Sequence, residues 1–512
     1  MKLSRRSFAF MSGATAGFCV MRSQSGVLGL AIAAPEVGAD LTSLSLAEAA
    51  AKIFRREVTA LQLTNACLAR IAVYDPKVDA FITVLKEKAR AQATQLDQEL
   101  AAGKRRGPLH GIPIALKDNI DTAGVRTTGG SAVFVDRIPQ TDATVAAKLR
   151  AAGAVFIGKT NLHEFAFGAG ETSYFGPARN PWALDRNTGG SSSGSGAALA
   201  ANLCYGALGT DTGGSVRFPA TFCSVVGLKV TYGLVPIRGI MPLTLSLDTC
   251  GPMARTVEDV AILLNHMTGY DNLDITSVRH DSEDYIAAMA EPVSGMRVGL
   301  PIGCYDRLDQ EVQAAVMTAI EVIRKLVKEV KEVSLPSPGG AAVIGPYSEA
   351  YAWHKDTFDA TPGKYMLHTR QAIEANSKMD AATYIRAQWQ LETLRRTVDQ
   401  AFTDFDLVVL PTMNILPPKL QDMLDDDAHP APHDPKSYGN ASLFNLYGTP
   451  AISLPCGFSD GGLPIGLCIS GPHFSEGKIL ALARAYESAT EWHKRRPPLS
   501  PDTTVPALKT SI

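Results

Sequence analysis

Between residues 111 and 490, short apolar runs alternate with stretches of helical period, and this alternation restricts the fold more than any other feature. "GIPIALKDNI" (111–120) reads as a short buried strand. "DATVAAKLRAAG" (142–153) reads as a helix with an acidic start and a glycine stop, and "AVFIGK" (154–159) as the strand that follows it. The pattern returns through "MRVGLP", the helical stretch 310–327, "DLVVLP" and "PAISLPCGF", and closes on a helix over 477–490. Helical spacing from Leu46 to about Tyr74 puts helices ahead of the first strand. Such a chain predicts an α/β protein with a large, mostly buried sheet. With 46% hydrophobic and 20% charged residues it can bury a large core. Neither an internal repeat nor a long linker divides it. Residues 415–439, rich in Pro, Asp and His, are the expected long surface loop.

The formal net charge of −2 comes without any basic block, which argues against nucleic acid as a partner and for a small molecule. The N-terminus differs from the rest. "SRRSFAF" (4–10) sets paired arginines before a mildly apolar run, and "AIAA" (31–34) offers a small-residue cleavage site, so residues 1–33 resemble a twin-arginine export signal. Arg22 interrupts the run before it is long enough to span a bilayer, and no stable membrane insertion is expected after processing. Loss of Lys2, Arg5, Arg6 and Arg22 would take the formal charge from −2 to −6. The expected destination is the periplasm or the exterior. Of the eight cysteines Cys19 lies in this leader; the others are scattered without a CxxC pair, which argues against a disulfide framework.

Two clusters carry the candidate chemistry. "GGSSSGSGAALAA" (189–201) resembles a flexible linker, yet it runs straight into an apolar alanine-rich helix, so it is a structured turn onto a helix N-terminus. A phosphate loop would need Lys before Ser or Thr and is excluded. A nucleophile elbow fits Gly190–Gly194 formally, with Ser192 at its centre and His110–Gly111 imitating an oxyanion motif, but turns rather than a strand precede it. The third reading joins this cluster to "GTDTGGSVRFP" (209–219), where successive N–H groups from Thr212, Gly213, Gly214 and Ser215 can curl around an oxygen as an oxyanion hole. Serine needs a base. Lys117, at the inner end of a buried strand, can supply one if burial removes its charge.

These motifs, with "GKTNLHEFAFG", "ARNPW", "GLKVTYGLV" and "NLYGTPAISLPCGF" in the same order from about Leu41 to His493, resemble the amidase signature family of serine hydrolases. The resemblance implies a single amidase-signature domain over residues 41–500, with a mixed, twisted central sheet covered by helices on both faces. It implies a Ser–Ser–Lys triad in which Lys117 is the base, Ser191 the bridging serine after a cis Gly190–Ser191 bond, and Ser215 the acyl-accepting nucleophile. Ser193 stands where many relatives have glycine.

Asp211 and Arg217 flank the nucleophile and are expected to pair and hold its loop. Phe165, Ala166 and Phe167 are expected to line the substrate pocket. "DDDAHPAPHD" (425–434) mixes carboxylates and histidines, but without ligand spacing it reads as a solvated acidic loop, and neither metal nor cofactor is expected. His163 and His493 are given no catalytic role. The expected activity is hydrolysis of a carboxamide to acid and amine or ammonia, with esters and carbamates open to the same route. The alternatives are the glutamine-hydrolysing component of a tRNA-dependent amidotransferase, its A chain, and, less well supported, an exported amide-binding protein without activity. A homodimer is left open.

Overall fold

The structure, a computed structural model, describes residues 40–167, 173–281, 283–345, 347–428 and 439–509. Eleven strands form one mixed sheet. In chain order they are β1 (Phe81–Val84), β2 (Pro113–Lys117), β3 (Val155–Thr160), β4 (Gly206–Asp211), β5 (Val226–Lys229), β6 (Thr249–Ala254), β7 (Arg297–Pro301), β8 (Glu329–Val333), β9 (Leu407–Pro411), β10 (Ala451–Phe458) and β11 (Pro464–Ser470). Their order across the sheet is β1-β3-β2-β4-β6-β5-β10-β11-β9-β7-β8.

Two parallel groups, β3-β2-β4 and β9-β7-β8, are joined by antiparallel pairs, so the sheet is mixed, as expected. The central strands are buried along their whole length and flanked by helices. They read as continuous apolar runs rather than alternating ones for that reason.

Most elements lie where the sequence puts them, and three details differ. The helix after Asp142 begins at Thr144 without a side-chain cap. Asp142 accepts from the Ala123 N–H and pairs with Arg150 instead. The opening helical region divides into Leu46–Phe54 and Ala60–Val78, each started by a Ser or Thr capping box. The expected loop over 415–439 contains a helix, Leu420–Ala428, whose period was masked by its run of aspartates. Asp425 is exposed, and the remainder of the mixed Asp-His stretch lies outside the residues whose side chains are described.

The parallel trio fixes the site. Leu116 of β2 lies beside Leu208 of β4, and Lys117 and Thr160, the last residues of β2 and β3, pair with each other, so the three strands run out towards the same edge of the sheet. The segments after β2, β3 and β4 therefore converge beyond the carboxyl ends of three neighbouring strands, where open α/β sheets place their ligands.

Candidate active site

Lys117 closes β2 and is wholly buried. Its Nζ donates to Ser191 Oγ at 2.8 Å and to Thr210 Oγ1 at 2.8 Å. Burial pushes the Lys117 ammonium down to about 7, against the pull of Asp211, Asp248 and Cys250.

Ser191 is also fully buried and follows a cis Gly190–Ser191 bond, as the family resemblance implies. A Cβ at position 190 would fall inside the His163 ring, so only glycine fits there. The Ser191 carbonyl accepts from the His163 N–H at 3.2 Å, and the Ser192 N–H donates to the Ser215 carbonyl at 3.2 Å. The two glycine-serine clusters are thus hydrogen-bonded to each other. Ser215 itself is half-buried, which leaves it open to a substrate in a way Ser191 and Lys117 are not.

Ser192, the centre of the formal nucleophile elbow, is fully buried and exchanges hydrogen bonds with the Thr210 carbonyl and N–H, both at 3.3 Å. Turns precede it, so it anchors β4 and the elbow reading falls. His110 is buried away from this chemistry, one ring nitrogen on the Leu96 carbonyl.

The segment from Asp211 to Arg217 is held by one carboxylate. Arg217 donates to Asp211 through Nε (3.0 Å) and Nη2 (2.9 Å), and both residues are wholly buried. Burial alone would raise the Asp211 carboxyl, but Arg217, Asn445 and Lys229 hold it well below the usual carboxylate range. The same carboxylate accepts the N–H groups of Gly214 (2.8 Å) and Val216 (3.1 Å).

This corrects one expectation: the Gly214 N–H belongs to Asp211 and is not an oxyanion donor. Of the expected oxyanion donors this leaves the N–H groups of Thr212, Gly213 and Ser215. Gly214 is required for a different reason, a φ of +127° against the ring of Phe218. Arg217 also reaches the Ala441 carbonyl and Asn445 Oδ1, tying the Ser215 segment to the short helix Leu443–Tyr447 ahead of β10. Arg217→Met is expected to lower stability by about 3–5 kcal/mol, because it leaves the Asp211 charge buried and unpaired. Urea titration checks this, and Asp211→Asn added to that variant is expected to recover part of the loss.

The expected pocket residues separate. Ala166 lines a narrow cavity beside the site, together with Asn119, Thr210, Asp248 and Met241. Phe165 and Phe167 pack away from it in an aromatic cluster with Tyr347, His354 and Tyr365. Phe165 and Ala166 both carry positive φ, a turn that the sequence does not signal and that sends alternate side chains to different sides.

Sequence reasoning missed Asn119, whose Nδ2 donates to Thr210 Oγ1 at 3.1 Å, and Thr210 itself, the second acceptor for Lys117. Both sit inside motifs already quoted, two residues after Lys117 and five before Ser215. It also missed the buried pair Lys159–Asp118 (3.5 Å), next door to Lys117, in which Lys159 holds the Ile120 carbonyl. Among the described residues no group of His, Cys, Asp and Glu is arranged to hold a metal. All the cysteines among them carry free thiols, and every one but Cys304 is buried.

Residues 62–480 match the Amidase family. The chain belongs to that family. Among curated amidase relatives, the A chain of the glutamyl-tRNA(Gln) amidotransferase of Carboxydothermus hydrogenoformans is 39% identical over 494 residues, covering 90% of this chain and all of the relative. The protein of the same name from Roseiflexus sp. (strain RS-1) is 41% identical over 489 residues, covering 90% and 99%. Among solved structures, the peptide amidase from Stenotrophomonas maltophilia superimposes with a TM-score of 0.77 at 32% identity, over 90% of this chain and 99% of its own. A 6-aminohexanoate cyclic dimer hydrolase does so with 0.77 at 28%, over 89% and 99%. As an amidase-family enzyme the chain acts on carbon–nitrogen bonds.

Proposed function

We propose that the chain hydrolyses a carboxamide through an acyl-enzyme on Ser215. The observation that carries this reading is the buried Lys117 Nζ, 2.8 Å from Ser191 Oγ, in surroundings that favour its neutral form. Neutral Lys117 takes the Ser191 proton as Ser191 takes that of Ser215, whose Oγ attacks the carbonyl carbon. Backbone N–H groups of Thr212, Gly213 and Ser215 receive the developing oxyanion. The proton returns along the same path to the leaving nitrogen, the carbon–nitrogen bond breaks, and water then releases the acid. Esters and carbamates follow the same route.

Two substrate readings divide from this point. The curated relatives support glutamine hydrolysis within a tRNA-dependent amidotransferase, since they carry the name of its A chain at 39–41% identity over nearly their whole length. That support outweighs what favours a free-standing, exported amidase. For the latter speak the solved peptide amidase and cyclic dimer hydrolase, and the arginine pair at Arg5 and Arg6, which lies outside the described residues.

One preparation separates the two. The full chain is expressed with its own N-terminus, fractionated into periplasm and cytoplasm, and assayed alone for acid and ammonia release from glutamine and from aliphatic, aryl and peptide amides. Cytoplasmic protein that turns over glutamine only with partner proteins fits the amidotransferase reading. Periplasmic protein that turns over simple amides alone fits the free-standing one. Absence of turnover in every arm would overturn both.

A further inference from the structure

We propose that Asp248 is a positioning residue that couples the Lys117 base to the segment carrying Ser215. The inference rests on the reading of Lys117 as base and adds a residue that no sequence motif singles out.

Thr210 is the hub on the side of the base. Its Oγ1 accepts from Lys117 Nζ at 2.8 Å and from Asn119 Nδ2 at 3.1 Å, which uses both lone pairs and turns its own proton elsewhere. Thr210 and Asn119 line the narrow cavity, and Asp248 supplies the carboxylate of its wall. Asn119 is 1% exposed and its Oδ1 has no partner among the described residues, so the cavity holds an unused acceptor as well as an unused hydroxyl proton.

On the other side Asp248 acts by direct contact. Its Oδ1 accepts the Thr212 hydroxyl at 2.5 Å, and Thr212 opens the short segment that ends at Ser215. The Leu243 N–H (2.8 Å) and the Thr244 N–H (3.3 Å) fix the carboxylate from behind. One side chain thus grips the segment of Ser215 and shares the cavity wall with Thr210, which accepts from Lys117.

Its charge matters as well as its shape. The carboxylates that act on Lys117 are Asp211 and Asp248, and both favour the ammonium against burial, while burial pushes the neighbouring Cys250 thiol up to about 12 and keeps it neutral. Burial pushes the Asp248 carboxyl up to about 7, with Glu349 adding to the rise and its hydrogen bonds opposing it. Where the Asp248 carboxylate is ionised, its charge holds a proton on Lys117.

The test is the rate at which an alkyl fluorophosphonate labels Ser215, followed from about pH 5 to about pH 10, which requires no knowledge of the substrate. In Asp248→Asn the rising limb is expected about one pH unit lower, because a charge that holds a proton on Lys117 is gone. Thr212→Val is expected to slow the plateau severalfold with the limb in place, since the grip is lost and the charge kept. A purely structural Asp248 would move no limb. Folded Asp248→Asn with the wild-type limb overturns the proposal. If that variant does not fold, Thr210→Val is expected to move the limb down and Thr210→Ser to restore it; wild-type limbs in both are equally fatal. Labelling that survives Lys117→Ala would instead remove the reading of the base on which the inference rests.

Discussion

Ser215→Ala is expected to abolish turnover, by about four to six orders of magnitude, while the protein stays folded. The side chain removed makes no hydrogen bond on which the segment depends, since Asp211 holds Gly214, Val216 and Arg217 around it. Intact-protein mass spectrometry with a fluorophosphonate reads the result directly. One adduct is expected on the wild type and none on the variant. An adduct that persists on Ser215→Ala and disappears on Ser192→Ala would bring back the elbow that the burial of Ser192 argues against.

Lys117→Ala is expected to cost about two to four orders of magnitude in rate, the usual worth of a positioned general base. Lys117→Arg is not expected to rescue it, because guanidinium keeps its proton throughout the working range. The wild type should gain activity as pH rises through about 7, where the buried ammonium gives up its charge. The same depressed value has a cost in stability. Between about 7 and the ordinary lysine range the unfolded chain binds a proton that the folded one does not, so this contribution to stability rises with pH and is least favourable on the acid side. Rate and stability measured over one pH series check both halves. A rate independent of pH from about 6 to about 9 would place the base elsewhere.

The elements that could be read from sequence were those whose signal is local. β2, β3 and β10 are short apolar runs between breakers, and Lys117, Ser191 and Ser215 sit in motifs whose glycines mark close backbone approaches. What could not be read depends on partners far apart in the chain. Asn445 completes the Asp211–Arg217 network from 234 residues away, and nothing near it announces that duty. Asp248 stands in "SLDTCGP" without a periodic or motif signal, and its position follows from the return of β6 alongside β4. The fate of the Gly214 N–H was hidden for a related reason. Glycine richness shows that a loop can curl, but not which of its donors a neighbouring carboxylate will claim.

The division of labour between strands and helices has a consequence for how such an enzyme can diversify. Lys117 and Thr210 belong to strands, and Ser191 and Ser215 to turns bonded to those strands, all within the region between β2 and β6. The aromatic cluster behind Ala166 joins Phe165 and Phe167 to rings from residues 347–373, a helical excursion outside the sheet. Among the polar points that fasten it to the frame are Glu164, which accepts from the Met366 N–H, and Glu349, which accepts from the Ser246 N–H. Substitutions in that excursion can repack the surroundings of Ala166 and leave Lys117, Ser191 and Ser215 on their own strands and turns. A single catalytic frame can in this way serve a lineage of enzymes that differ in diet and agree in chemistry.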